Sequence, residues 1–437
     1  MSASPHANPP EKSHRWLILA HAYNVDGRAE SLTITDKIPH LIAAGIQPVV
    51  LSSVMGRQDP SVEHHRLLPW GPAAIRFDLR HLVLARFGKG WASRTIGFTA
   101  SILLAFPIVL ERLITGLRSQ WSWAPAAVWR AERLLREQPF ACVYSTGGVF
   151  SAHLAGAWLK ARTGCRWIAE VHDPLVIPGR APKGRHEKFL ARLEARICRN
   201  ADCAWWFTDG ALAAARKRHP ELGERGLAIL PGAKPPVVRA EYQPGPTMVL
   251  GHFGTLSPTR PLRPALLGLA ELLRRMPDER AHIRLEIYGN VIDEPSKPLV
   301  NELGLGDVVV EHGRLEYDPN SGLSGRARVM QRMQQVDVLL MLHGEQPESA
   351  EYIPSKLYDY FWARRPVLGL TCQNPQLDEL IVAHGGIVTP SGDAQACATV
   401  LANLLARWRA NNLADVTQAP ISVEHAVAQI VQAARHG

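Results

Sequence analysis

The stretch EYIPSKLYDY, residues 351–360, sets a glutamate, a proline, a lysine and an aspartate just beyond an unbroken apolar run, VDVLLML, at 336–342. The run reads as a buried strand. Pro354 suits the first turn of a following helix, where a missing N–H costs nothing and φ is already set. A helix over about 354–364 turns the free amides near Ser355 and Lys356 toward whatever lies in front of it. Those amides and the helix dipole favour an anion such as phosphate, and Lys356 adds a full positive charge. Ser355 and Asp359 stand four apart and share a face, whereas Leu357 and Phe361 can face the core. Asp359 is then placed to grip the vicinal hydroxyls of a ribose. Glu351, still in the loop, can reach a second polyhydroxylated group beyond the phosphates. For an isolated trio the alternative is two solvated carboxylates and a solvated lysine; the spacing combined with the strand before it argues for a site.

The elements that must position these residues show as βα alternation. Short β-type runs fall at 15–20, 47–53, 141–146, 166–173, 203–209 and 227–232, with helical stretches between them. Several are apolar on both faces, as expected of parallel strands covered by helices on each side. AKPPVVRAEYQPGPT, at 233–247, has four prolines and no apolar period, and reads as a linker. The series then restarts at 248–254, 283–289, 308–313, 336–342, 366–371 and 385–390, with helices such as 264–276 between. The expectation is α/β with two doubly wound, Rossmann-like domains facing across a cleft. Their bounds are read as 1–240 and 248–415, followed by an amphipathic helix at 418–437 that needs a surface to cover.

Lys and Arg outnumber Asp and Glu 49 to 40, which favours anionic partners such as nucleotide phosphates or an acidic lipid leaflet. The basic residues are scattered without a zinc-finger spacing, an RNP-type motif or a dense arm, so no nucleic acid is expected. Six cysteines without CxxC pairs fit a reducing, cytoplasmic setting, and the polar N-terminus lacks the apolar core of a signal peptide. IGFTASILLAFPIVL, at 96–110, is flanked by Arg86, Lys89, Arg94 and Arg112 and neighboured by Trp91, Trp121 and Trp123. At 1.5 Å per residue it covers about 22 Å, too short for a hydrocarbon layer of about 30 Å, and Pro107 interrupts it. Two readings stand: a core helix, or a membrane-interface segment within 86–123 held by its apolar face, Trp collar and basic flanks.

The stretch at 351–359 resembles the E-x7-E motif of retaining GT-B glycosyltransferases, particularly the family 4 group, with Glu351 as the first acid and Asp359 in place of the second. The longer run IPSKLYDYFWARRPVLG looks like the version in bacterial polysaccharide and lipopolysaccharide enzymes. The resemblance implies that Asp359 binds ribose, Glu351 contacts the donor sugar, and Ile353, Pro354, Ser355 and Lys356 form the phosphate-binding helix start. VYSTGGVFSAHLAGAWLK, at 143–160, resembles the segment that opens toward the acceptor, with Thr146, Gly147 and Gly148 at a strand end. WIAEVHDPL, at 167–175, resembles the loop that carries a histidine facing the anomeric centre; His172 falls there, beside Asp173, which can orient it. GHFGTLSPTR, at 251–260, resembles the first turn of the nucleotide domain. Gly254 matches it and Arg260 can replace its lysine, while Thr255 stands where arginine is common. Tyr288, Gly289 and the His312-Gly313-Arg314 run end neighbouring strands on the base side. The first turn of the N-terminal half offers only Gly27 where a glycine pair is common.

The implied reaction moves a sugar from a nucleotide-sugar donor to a glycan or lipid-linked acceptor. Fixed donors at the diphosphate lower the barrier most directly, so no metal and no further cofactor is expected, and no D-x-D motif occurs. Three rivals remain: a nucleotide-sugar epimerase of the same architecture; a dehydrogenase, disfavoured because no G-x-G-x-x-G follows a strand; and a catalytically silent membrane-associated binding protein.

Overall fold

The computed structural model describes residues 14–25, 28–88, 90–413, 416 and 418–436. Gly27 and Lys89 lie outside the described residues. Among the described residues, the first half of the chain contributes Arg15–Leu19 (β1), Gln47–Ser53 (β2), Glu63–Leu67 (β3), Cys142–Gly147 (β4), Trp167–Val171 (β5), Cys203–Trp206 (β6) and Gly226–Ala228 (β7). They form one sheet in the order β3-β2-β1-β4-β5-β6-β7, with every pairing parallel. The second half contributes Met248–Gly254 (β8), Ile283–Gly289 (β9), Val309–Gly313 (β10), Val338–Leu342 (β11), Val367–Thr371 (β12) and Ile387–Pro390 (β13). These form a second parallel sheet in the order β10-β9-β8-β11-β12-β13. Each apolar run read from the sequence carries one of these strands. The exception is β3, sequence EHHRL, which lies at the sheet edge, where one side has no partner strand and polar residues are tolerated.

Apolar residues on both faces of each sheet are matched by helices on both sides. Trp123–Glu137, Ser151–Thr163 and Gly184–Asn200 cover one face of the first sheet, and Ala29–Thr35 and Ile38–Ala43 the other. The final helix, Val423–His436, joins that second face: Ala426, Val427, Ile430 and Val431 pack in one cluster with Trp16, Ile18, Ile34 and Leu41. The chain thus returns to the N-terminal sheet after completing the second one. Ala233, at the start of the proline-rich connection, takes a hydrogen bond from Val423 and gives one to Ile421, tying the return to the crossing point.

In both sheets the strand order reverses beside the first strand: β2 and β4 flank β1, and β9 and β11 flank β8. Crevices form at such switch points, at the strands' carboxyl ends. Gly254 and Gly289 end β8 and β9 in register, at φ +138° and +140°. A Cβ on Gly289 would stand 2.0 Å from the Gly254 carbonyl oxygen, so only glycine lets these two strand ends close up.

Residues 96–110 overturn the core-helix expectation. Two helices, Trp91–Leu103 and Ala105–Thr115, meet at 52°, and no single described helix is long and apolar enough to cross a membrane. The break falls at Leu104 because Pro107 is tolerated only in a first helical turn; one continuous helix would drive its ring into the carbonyl of residue 103. Trp91 is 81% exposed and Phe106 77%, with Phe98, Leu103, Leu113 and Ile114 also open to solvent. The expected Trp collar is reduced to Trp91: Trp123 is fully buried, and Trp121 donates its indole N–H to Glu111 Oε1 at 2.8 Å. The other Glu111 oxygen accepts the Ala73 amide at 2.8 Å, which ties the second of these helices to the start of the helix Pro72–Phe87.

Candidate functional site

The helix after β11 begins at Lys356, with Ser355 as its N-cap and Pro354 just outside it, a register slightly later than the spacing suggested. Leu357 N–H bonds to the Pro354 carbonyl at 2.9 Å and Tyr358 N–H to that of Ser355 at 3.3 Å, so the first turn is tight. The Ser355 and Lys356 amides have no backbone acceptor among the described residues. Both residues line, with Pro354 and Asp359, a cavity of about 640 Å³. Leu357 and Phe361 point the other way, into the core shared with Phe253 and Met341. Ile353 joins that core as well, so it supports the helix start and is not a lining residue.

From the C-terminal half, the cavity is also lined by Gly254, Thr255, Arg260, Tyr288, Gly289 and Arg314, at the ends of β8, β9 and β10. The N-terminal half closes it with Ala29, Leu32, Thr33 and Asp36. Among the lining residues described, Arg260, Arg314, Arg326 and Lys356 outnumber the carboxylates Asp36, Glu316 and Asp359, so the cavity suits an anion. Asp359 is buried, with Oδ2 3.5 Å from Lys356 Nζ and Oδ1 3.9 Å from Arg326 Nη2.

Arg326 was not foreseen. It grips Asp36 through two bonds, Nη1 to Oδ1 at 3.1 Å and Nη2 to Oδ2 at 2.8 Å, and Lys234 reaches the same carboxylate at 3.2 Å. Asp36 ends a helix of the N-terminal half, and Arg326 opens one in the C-terminal half, so this bidentate pair holds the two halves together across the cavity. Arg326 also places a cation in the same cavity as Thr255, the position where the resembling motif has arginine.

Tyr288 lines the cavity at the end of β9. Phe253 covers one ring face at 4.7 Å and His312 the other at 4.5 Å, both nearly coplanar. Its hydroxyl donates to Glu286 and accepts from Arg332 Nε at 2.6 Å. Both faces being covered, Tyr288 braces the strand end and presents only an edge.

Glu351 is the largest departure. It does not line the cavity: its carbonyl accepts the Thr208 hydroxyl at 2.6 Å, in a seam between the halves that Asp209 and Gln376 extend. Its carboxyl lies half-buried near Arg218 and Glu194. Burial and the charge on Glu194 push its pKa up against the pull of Arg218, whose guanidinium Glu194 already holds by two bonds.

The N-terminal candidates gather at the ends of β4 and β5, outside the lining of the cavity. Gly147 has φ +127° and its carbonyl faces His153 Nε2 at 3.3 Å; Asp173 Oδ2 presses against Gly148. Asp173 and Arg260 both act on the Tyr352 hydroxyl, whose pKa burial raises, so Asp173 faces the C-terminal half. His172 Nε2 lies 2.8 Å from Glu170 Oε1, and Thr146 Oγ1 bonds the same oxygen at 2.9 Å. Glu170 and Lys37, which sequence reasoning passed over, are 0% and 1% exposed and pair at 2.5 Å. Burial alone would push the Glu170 carboxyl up, but Lys37 and His172 hold it well below the usual range; burial also pulls the Lys37 pKa down.

No protein-family profile and no curated protein matches the chain. Solved structures do match in fold. TarM aligns with a TM-score of 0.61 and 9% identity, over 96% of this chain and 98% of that one. WaaG, a glycosyltransferase involved in lipopolysaccharide biosynthesis, aligns with a TM-score of 0.58 and 16% identity, over 95% and 99%. A Staphylococcus aureus TarM mutant in complex with fondaparinux, alpha-GlcNAc-glycerol and UDP aligns with a TM-score of 0.51 and 11% identity, and this chain spans 59% of its length. Two parallel-sheet α/β domains in this arrangement are the GT-B fold.

Proposed function

We propose that the protein is a retaining, family 4-like glycosyltransferase that moves a sugar from a nucleotide-sugar donor to a glycan or lipid-linked acceptor in cell-surface polysaccharide synthesis. The observation that carries this reading is the convergence of the helix-start residues Ser355 and Lys356, Arg260 and the buried Asp359 on one cavity at the ends of β8 and β9. Amides and cations hold the diphosphate and take up the charge that grows on it as the sugar departs, without a metal. Asp359 accepts two hydroxyls of the ribose. The acceptor approaches from the His172 and Asp173 side. The test is a panel of nucleotide sugars, screened by thermal shift and then by nucleoside diphosphate release with EDTA present. At least one donor should stabilise the protein and turn over faster with an acceptor; isomerised donor without transfer would mark an epimerase, and no binding would refute the site.

Asp359 and Glu351 should behave differently. Asp359→Ala is expected to weaken donor affinity by about 10-fold or more, the scale of a lost hydrogen bond to a charged group. Glu351→Ala should leave donor affinity within about 3-fold, because its carboxylate stands at the seam; titration calorimetry with the best donor measures both.

The exposed bent helix pair Trp91–Thr115 supports peripheral attachment to the cytoplasmic face of an anionic membrane. Its outward apolar side chains are accompanied by Arg86, Arg94 and Arg112, and Arg185, at the start of the helix Gly184–Asn200, donates to the Leu113 carbonyl at 2.8 Å. A Phe106→Asp/Leu113→Asp variant should lose at least about 10-fold in co-sedimentation with anionic vesicles, since two immersed side chains contribute roughly 1.5–3 kcal/mol each. Equal sedimentation of variant and wild type would contradict the attachment.

A further inference from the structure

We propose that Lys37 and Glu170 are positioning residues that set the tautomer of His172, keeping its Nε2–H turned inward and leaving Nδ1 as a lone pair that accepts a substrate hydroxyl. Glu170 stands on β5 with no exposed surface. Its Oε2 accepts from Lys37 Nζ at 2.5 Å, Tyr144 OH at 2.7 Å and Trp205 Nε1 at 3.0 Å. Its Oε1 accepts the Thr146 hydroxyl at 2.9 Å and lies 2.8 Å from His172 Nε2. A carboxylate paired with an ammonium only accepts, so the hydrogen between Oε1 and Nε2 belongs to the imidazole. Thr146 Oγ1, having donated to Glu170, can share that N–H at 3.2 Å. Nδ1 has no hydrogen-bond partner among the described residues.

The charge balance decides what Nδ1 carries. Lys37 comes from the turn before the helix Ile38–Ala43 and cancels the Glu170 charge inside the protein. His153, from the helix Ser151–Thr163, is close enough to act electrostatically on the same ring, and Asp173 follows it in sequence. Phe207 stacks on the His172 ring at 4.6 Å and also lies 5.5 Å beneath Lys37 Nζ. Lys37 therefore leaves Glu170 an acceptor whose charge is already paired, and its Oε1 holds the imidazole hydrogen on the inner nitrogen. His172 is thus an acceptor for a hydroxyl, and its proton stays on the inner nitrogen. The identity of that hydroxyl rests on the transferase reading; the tautomer is a property of the free protein.

The test is ring-15N nuclear magnetic resonance of the ligand-free protein labelled at histidine, with His172→Gln to identify the signal. At neutral pH the wild type should show a protonated Nε2 and a bare Nδ1. In Lys37→Met the Glu170 charge is no longer offset, and the Nε2 and Nδ1 signals of His172 should both move. A wild-type ring protonated at Nδ1, or unmoved ring signals in a folded Lys37→Met, would overturn the proposal. The wild-type spectrum decides the tautomer even if Lys37→Met fails to fold. Loss of the transferase reading would leave these spectra unchanged, so the two claims fail separately.

Discussion

Lys356→Ala is expected to lower kcat/KM for the donor by roughly 10²–10³-fold, the scale seen when one fixed group that stabilises developing charge is removed. The side chain is 37% exposed and its ion pair to Asp359, at 3.5 Å, is long, so the fold should not depend on it. Far-UV circular dichroism and Tm should stay at wild-type values. Lys356→Arg should recover part of the rate, because it restores the charge without reproducing the compact ammonium. Steady-state release of the nucleoside diphosphate reads all three. A Lys356→Ala loss below about 3-fold would mean that the anion is held elsewhere.

Glu170→Ala is expected to cost about 3–5 kcal/mol of stability, since it leaves the Lys37 ammonium buried without a counter-charge. Tyr144, Trp205 and Thr146 would each lose an acceptor in the same stroke. The joint variant Lys37→Met/Glu170→Gln should be much closer to wild type, because both charges leave together and the volumes are similar. Equilibrium unfolding in urea measures the difference. A Glu170→Ala penalty under about 1 kcal/mol would show that water reaches the cluster, and the electrostatic account of His172 would fall with it.

The sheets were legible because parallel strands covered on both faces must be apolar throughout, and runs such as RWLIL and VLLML cannot be mistaken for solvated segments. The edge strand EHHRL escaped because an edge imposes no such demand. At the site, the helix-start residues could be read from local spacing, since Ser355 to Asp359 is the N-cap and first turn of one helix. Glu351 could not: where a loop residue points depends on contact with Thr208, 143 residues earlier in the chain. Asp36 and Arg326 are separated by 290 residues, and Lys37 and Glu170 by 133, so no periodicity connects either pair. One signal was available. A glutamate within the apolar run WIAEV falls on a buried strand, and a buried carboxylate demands a partner, although the partner's identity waits on the fold. The segment at 96–110 left two readings open for the opposite reason: an apolar run is equally consistent with burial and with an interface.

The most direct measurement is a crystal structure with the nucleoside diphosphate that stabilises the protein most. The account predicts phosphate oxygens on the Ser355 and Lys356 amides and on Lys356 Nζ, with the ribose hydroxyls on Asp359. A diphosphate bound away from this helix start, or a ribose turned from Asp359, would contradict it.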